Sequence, residues 1–150
     1  MQIVTKMGST WKNQNGKSRS CLVGWSMESR GVAKKNVVRE KSFAFALRTV
    51  RLAKFLREAK CEFVLSKQVL RSGTAIGALV RESEHAQSRA DFISKLSIAL
   101  KEANETDYWI DLLHQSDLLT SDQFQSIHRD IQELIRLLVS IVKSTKSSPP

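Results

Sequence analysis

Apolar residues recur with alternating four- and three-residue spacing in four segments that follow residue 41. In the first segment the repeat passes through Phe45, Thr49, Leu52, Leu56 and Ala59, and it is widened by Phe43, Leu47 and Val50. This spacing places apolar side chains along one face of an α-helix. Ser42 precedes the repeat as an expected N-terminal cap. The helix is expected to end near the segment AKCEF.

Three further segments carry the same helical signature. The second predicted helix covers about 64–87, with inner positions at Leu65, Val69, Ile76, Val80 and Ser83. The third begins near Asp91 and repeats through Phe92, Leu96, Ala99, Ala103, Thr106, Ile110 and Leu113. The fourth, capped by Thr120 or Ser121, repeats through Phe124, Ile127, Ile131, Leu134, Leu138 and Ile141. Four helices joined by short loops predict an all-α, up-down-up-down antiparallel four-helix bundle.

The two ends of the chain lack this repeat. Residues 1–40 are rich in Lys, Arg, Ser, Asn and Gly, so we expect a basic, disordered tail that cannot bury enough apolar surface to fold. A start near Met27 is one interpretation of this tail, and a nucleic-acid-binding arm is another. We assign residues 41–144 to the bundle and residues 145–150, which end in two prolines, to a C-terminal tail.

Two glycines interrupt the second predicted helix. A glycine in a helix interior costs about 1 kcal/mol relative to alanine. A phosphate-binding loop of the Walker A type needs GxxxxGK[ST] after a strand, whereas Gly73 and Gly77 are spaced as GxxxG, with no lysine after them and no strand before them. We therefore expect close contact with other helices. A helix of the same bundle is expected at Gly73, and a neighbouring subunit at Gly77.

Some apolar residues fall outside the four core faces. Ile98, Trp109 and Leu112 lie off the repeat of the third helix, and Ile135, Val139 and Val142 form a second row on the fourth. One explanation is a wide bundle core, and the other is an interface between subunits. We favour the interface, and a head-to-tail contact of this kind would produce a ring if its rotation closes.

The formal net charge of +9 is unevenly distributed along the chain. Residues 1–41 and 42–100 carry net charges of +7 and +5, whereas residues 101–133 carry −6. A basic excess permits binding to RNA or DNA, or to an acidic protein partner. The candidate nucleic-acid-binding residues of the first two helices are Arg48, Arg51, Lys54, Arg57, Lys67, Arg71, Arg81 and Arg89. The alternative is a solvated surface, and the scarcity of aromatic residues there argues against sequence-specific RNA recognition.

Carboxylates and histidines occur in pairs whose spacing resembles that of a di-metal site. Di-metal bundles use two Glu-x-x-His pairs and two further glutamates that point inward. Glu82 and His85, and Asp111 and His114, have this spacing, with Glu58 and Glu133 as the further carboxylates. None of these carboxylates lies on an apolar face, so we expect surface residues, no metal and no cofactor.

No signature of catalysis or of membrane insertion is present. Cys21 and Cys61 form no CxxC pair, and no Ser-His-Asp arrangement can be recognised. No stretch approaches the roughly 20 apolar residues that a membrane span requires. We therefore expect a cytoplasmic protein that is not an enzyme and does not enter a membrane.

Two segments resemble a known family. LSKQVLRSGTAIGALVRES and FISKLSIALKEANETDYW are similar to the small four-helix-bundle proteins encoded in intervening sequences of bacterial 23S ribosomal RNA, and the resemblance covers about 38–143. It implies a homopentameric ring and kinship with the accessory proteins of diversity-generating retroelements, which associate with nucleic acid and a reverse transcriptase. It implies no catalytic residues. Leu79 departs from the asparagine usual in this family, so a polar role at that position is in doubt.

Overall fold

The computed structural model describes residues 36–147, and these residues form four helices and no strand. Helix α1 covers Val37–Ala59, α2 covers Leu65–Ser83, α3 covers Arg89–Gln115 and α4 covers Ser121–Ser147. Each helix packs against the next one in the chain, and α4 packs against α1. The all-α prediction and the count of four packed helices are confirmed for this part of the chain.

Helix α1 begins five residues before the expected cap. The Asn36 side chain accepts a hydrogen bond from the Arg39 backbone N–H at 3.3 Å, and Asn36 is therefore the cap. Ser42 is buried inside the helix, where its hydroxyl donates to the Arg39 carbonyl at 3.0 Å. Residues 37–40, which we assigned to the tail, are helical and bury Val38. The rest of that tail, including Met27, lies outside the described residues.

The later helix ends are set by local hydrogen bonds. The Ser88 hydroxyl accepts from the Asp91 backbone N–H at 3.1 Å and caps α3. Thr120 and Gln123 exchange side-chain and backbone hydrogen bonds at 3.0 and 3.3 Å, the reciprocal arrangement of a capping box at the start of α4. Helix α4 extends past residue 144 to Ser147, and residues 148–150 lie outside the described part of the chain.

The core largely follows the predicted faces, with local shifts. Ala53 is buried in place of Leu52, and Val142 is buried in place of Ile141. These shifts are expected because a helix of 3.6 residues per turn drifts away from a 3.5-residue repeat. The fully buried residues that match the predicted repeats are Phe45, Thr49, Leu56, Val69, Ile76, Val80, Leu96, Ala99, Ala103, Thr106, Ile110, Leu113, Ile131, Leu134 and Leu138.

Three residues that were expected to widen the core of α1 face outward instead. Phe43, Leu47 and Val50 are all exposed, whereas Phe45 is 2% exposed. Their spacing of four and three residues places them in one row along α1. This outer row is therefore an apolar surface that the described bundle does not cover.

Both glycines of α2 lie against α1. A Cβ atom on Gly73 would stand 2.6 Å from Thr49 Cγ2, and one on Gly77 would stand 3.4 Å from the Ser42 carbonyl oxygen. The lack of a side chain at these two positions lets the two helices approach closely. The expectation of a neighbouring subunit at Gly77 is corrected, because α1 of the same chain occupies that space.

Candidate nucleic-acid interface

Arg48 joins α1 to α4 and is already engaged within the bundle. Its guanidinium donates to the Asp130 carboxylate, to the Ser126 carbonyl at 3.2 Å and to the Ser126 hydroxyl at 2.8 Å. Three charge-assisted contacts hold this side chain in one place. A phosphate at this position would have to compete with the Asp130 carboxylate.

Arg71 joins α2 to α3 in the same way. It pairs with Glu105 and lies 3.5 Å from a Glu102 carboxylate oxygen. The hydrogen bond and the charge of Glu105 raise the pKa of Arg71. Hydrogen bonds from the Trp109 indole N–H and then from Arg71 lower the pKa of Glu105. The Arg71 charge is therefore balanced by two carboxylates of the same chain.

Three further candidates also have intramolecular partners. The Arg81 guanidinium lies 5.3 Å from the centre of the Phe43 ring, a cation–π contact. Arg89 donates to the Thr145 backbone carbonyl, which ties the start of α3 to the end of α4. Lys54 is 3.9 Å from Glu58 one turn later, an exposed pair that contributes little.

The remaining three candidates are exposed and unpaired. Arg51, Arg57 and Lys67 are exposed and form no ion pair or side-chain hydrogen bond with any residue between 36 and 147. Lys60, at the end of α1, is also exposed and also forms no ion pair or side-chain hydrogen bond within these residues. Because α1 and α2 are joined by a short loop, these four cations lie along the second half of α1 and the first turn of α2. We call this group the basic end.

Arg51 also lines a cleft of about 470 Å³ between α1 and the start of α4. The floor of the cleft is apolar and includes Leu52, Phe55, Leu119 and Ile127. Leu119 and Ile127 belong to the bundle core, while Arg51 and Asp122 bring charged groups to the cleft. Arg51 itself is exposed.

The acidic second half of the chain is largely neutralised within the bundle. In addition to the partners of Arg48 and Arg71, Glu133 accepts a hydrogen bond from Lys41 at 2.8 Å. Asp107 accepts from the Gln132 amide at 2.8 Å and lies 3.5 Å from His128 Nε2. The polarised charge seen in the sequence therefore joins helices of one chain. Cations without an ion pair among residues 36–147 are found at the basic end and also on α3 and α4, at Lys101, Arg129, Arg136, Lys143 and Lys146.

The loop between α1 and α2 is held rigidly by Glu62. Its carboxylate accepts hydrogen bonds from the backbone N–H groups of Val64, Leu65 and Ser66 at 2.8, 2.7 and 2.6 Å. The Glu62 backbone N–H donates to the Leu56 carbonyl at 2.9 Å. Burial raises the pKa of Glu62, but the backbone hydrogen bonds outweigh it, so the pKa lies below its ordinary value. Glu62 thus performs the capping role at the start of α2.

We expect Glu62→Gln to destabilise the fold at neutral pH by about 0.5–2 kcal/mol, the range for a lost helix cap. Because folding lowers the Glu62 pKa, its contribution is present above the unfolded pKa and is lost as pH falls through the folded pKa. The difference between variant and wild type should therefore shrink below about pH 4. Urea unfolding of both proteins at several pH values measures this difference in the free energy of unfolding. Glu58→Gln is the control, and an equal, pH-independent effect of both variants would contradict this role.

The three apolar interface candidates differ in position. Ile98 is exposed on α3, whereas Trp109 and Leu112 are half-buried. Trp109 packs against the core, and its indole N–H donates to Glu105 at 3.1 Å. Whether any of them contacts a second subunit stays a prediction.

Three of the glutamates that a di-metal site would use form ion pairs with lysines. Glu58, Glu82 and Glu133 pair with Lys54, Lys95 and Lys41 on the surface. Within residues 36–147, no three His, Cys, Asp or Glu side chains converge as a metal site would require. In the same region no helix has the length and apolar character to cross a membrane.

Comparison with known proteins agrees with this architecture. A crystal structure of a protein of unknown function from the S23 ribosomal protein family of Bacteroides thetaiotaomicron is 59% identical, with a TM-score of 0.71. The alignment covers 72% of this chain and 96% of that one. No curated protein matches the chain. Residues 34–140 match the family described as 23S rRNA-intervening sequence protein. That match covers more than half of the sequence, and the chain belongs to this family.

Proposed function

We propose that this chain is a non-enzymatic, self-associating helical-bundle protein that binds RNA or DNA through its basic end. The observation that carries this proposal is the run of four exposed cations without a partner among residues 36–147 that extends from the second half of α1 into the first turn of α2, whereas Arg48 and Arg71 in the same two helices are paired within the bundle. Such cations are free to replace the counterions of a phosphate backbone. The family's name, which refers to ribosomal RNA, supports an RNA ligand.

The eight candidate cations differ in how readily they can contact a phosphate, because some of them already form ion pairs. Binding through Arg48 or Arg71 requires the loss of an existing ion pair, whereas binding through Arg51, Arg57 or Lys67 does not. We therefore expect the basic end to make most of the phosphate contacts. A role beside a reverse transcriptase and a cytoplasmic location both remain predictions from the sequence and its resemblance.

Titration of a structured RNA at several salt concentrations tests the proposal. We expect binding at low salt that weakens steeply as salt rises. The double variant Arg57→Gln, Lys67→Gln should lower the slope of log K against log salt by about two, roughly one per lost phosphate contact. The control is Lys101→Gln, Arg136→Gln, which removes the same charge from α3 and α4.

Equal effects of the two double variants would show that net charge matters and that the basic end does not. Absence of binding by the wild-type protein at low salt would overturn the nucleic-acid proposal. The second candidate function, a protein–protein interaction module without nucleic-acid binding, would then be favoured. The exposed outer row of α1 supports that alternative.

We further propose that the helices alternate in direction and that the chains assemble into a homo-oligomeric ring, a pentamer by family resemblance. Alternation is supported by contacts that join the start of α1 to the end of α2, as in the 3.3 Å pair of Arg39 and Glu84. Assembly is supported by the outer row of Phe43, Leu47 and Val50. Sedimentation velocity counts the subunits, and the mass of one chain at every concentration would contradict the ring.

A further inference from the structure

The loop between α1 and α2 exposes two large apolar side chains at the basic end. Phe63 is 56% exposed and Val64 is 70% exposed. Single exposed apolar residues are common on protein surfaces and by themselves need no explanation. Phe63 differs because Lys60 precedes it, Lys67 follows it on the first turn of α2, and both are unpaired within residues 36–147.

The backbone on both sides of Phe63 is fixed. The Glu62 carboxylate binds the backbone N–H groups of the next residues, and the Glu62 N–H is bonded to Leu56. Cys61 adopts a positive φ of 52°, which turns the chain sharply out of α1. The exposure of Phe63 is thus a property of an ordered loop. A ligand that packs on a preformed surface loses less conformational entropy in binding than one that must order a loop.

An exposed aromatic ring among cations is the combination that binds single-stranded nucleic acid. Cations follow the phosphates, while bases stack on the aromatic ring whatever their identity, since every base has a π face. A duplex keeps its bases stacked on one another and is recognised mostly by shape and backbone. The basic end therefore matches an unpaired strand better than a regular helix.

We propose that Phe63 is a stacking platform for an unpaired base of single-stranded RNA or DNA, whose flanking phosphates contact Arg57, Lys60 and Lys67. This inference rests on the proposed nucleic-acid binding and adds the strand type and the residue that contacts a base. The sequence did not single out Phe63, because it lies between two helical repeats where no periodicity indicates exposure.

Fluorescence anisotropy with labelled single strands of roughly twelve nucleotides, as RNA and as DNA, tests the inference. Phe63→Ala should weaken binding by about 5- to 150-fold, the effect of losing one base–aromatic stack. The salt slope should not change, since no phosphate contact is removed. Phe63→Trp should keep the affinity, and its added fluorescence should be quenched when the strand binds. The control Tyr108→Ala removes an exposed ring of α3 instead.

The outcomes separate this inference from the function on which it rests. If wild-type protein binds the strands in a salt-dependent way and Phe63→Ala binds equally well, stacking is refuted and nucleic-acid binding stands. If wild-type protein does not bind at low salt, both are refuted. If Phe63→Ala changes only the sedimentation coefficient, Phe63 contacts a protein and the inference is refuted. Preference for RNA over DNA would identify the sugar as part of the recognition.

Discussion

Replacement of Phe45 by alanine is expected to lower the free energy of unfolding by about 3–5 kcal/mol, the usual cost of emptying a buried phenylalanine site. Phe45 is almost completely buried and belongs to the central hydrophobic cluster. Phe43, two residues earlier, is 50% exposed and contacts the Arg81 guanidinium. Its replacement should cost less than about 1 kcal/mol, the size of an exposed cation–π contact.

Urea unfolding of both variants at one fixed protein concentration measures this difference, because subunit association would otherwise change the apparent stability. Sedimentation velocity on the same samples adds a second readout. If the outer row of α1 joins subunits, Phe43→Ala should weaken self-association while the bundle stays folded. Equal destabilisation by the two variants would show that both faces of α1 are buried.

Gly73→Ala is the other substitution for which we expect a large effect. The added methyl group would stand 2.6 Å from Thr49 Cγ2 and 2.8 Å from Thr49 Oγ1. Thr49 is fully buried and its hydroxyl is bonded to the Phe45 carbonyl at 3.0 Å, so it cannot move aside without loss. Overpacking of this kind costs about 1–3 kcal/mol.

Gly77→Ala is the matched control on the same helix. Its new methyl group would meet the Ser42 carbonyl oxygen at 3.4 Å, an ordinary contact. The gain in helix propensity should then stabilise the protein by about 0.4–1 kcal/mol. Thr49→Ala combined with Gly73→Ala should recover part of the loss, because the two atoms that clash are removed. Equal behaviour of the two glycine variants would contradict the described approach of α1 and α2.

The four helices could be predicted because their apolar repeats are long and local. In α3 the repeat from Leu96 to Leu113 continues without a break, and its positions are buried as predicted. The cap at Thr120 was likewise predicted from residue type and spacing. The start of α1 was missed because Asn36 and Ser42 are both good caps, and only the burial of Val38 distinguishes them.

The candidate site was predicted less completely. The sequence shows which eight residues carry the positive charges, but it does not show which of them form ion pairs. Arg48, for example, pairs with Asp130, which lies 82 residues away in the sequence. Periodicity along one helix carries no information on which charged residue of another helix lies opposite. Phe63 was not predicted at all, because it lies in the loop between two helical repeats, where no periodicity indicates burial or exposure.

The sequence by itself determined the class of fold, the approximate extent of the helices and the basic character of the first half, because these depend on local composition and spacing. The tertiary structure decided which apolar face of α1 is buried, since the faces of Phe43 and Phe45 are both apolar and only one fits closely against Gly73 and Gly77. It also decided which cations remain unpaired at the basic end, because ion pairing depends on how distant helices meet.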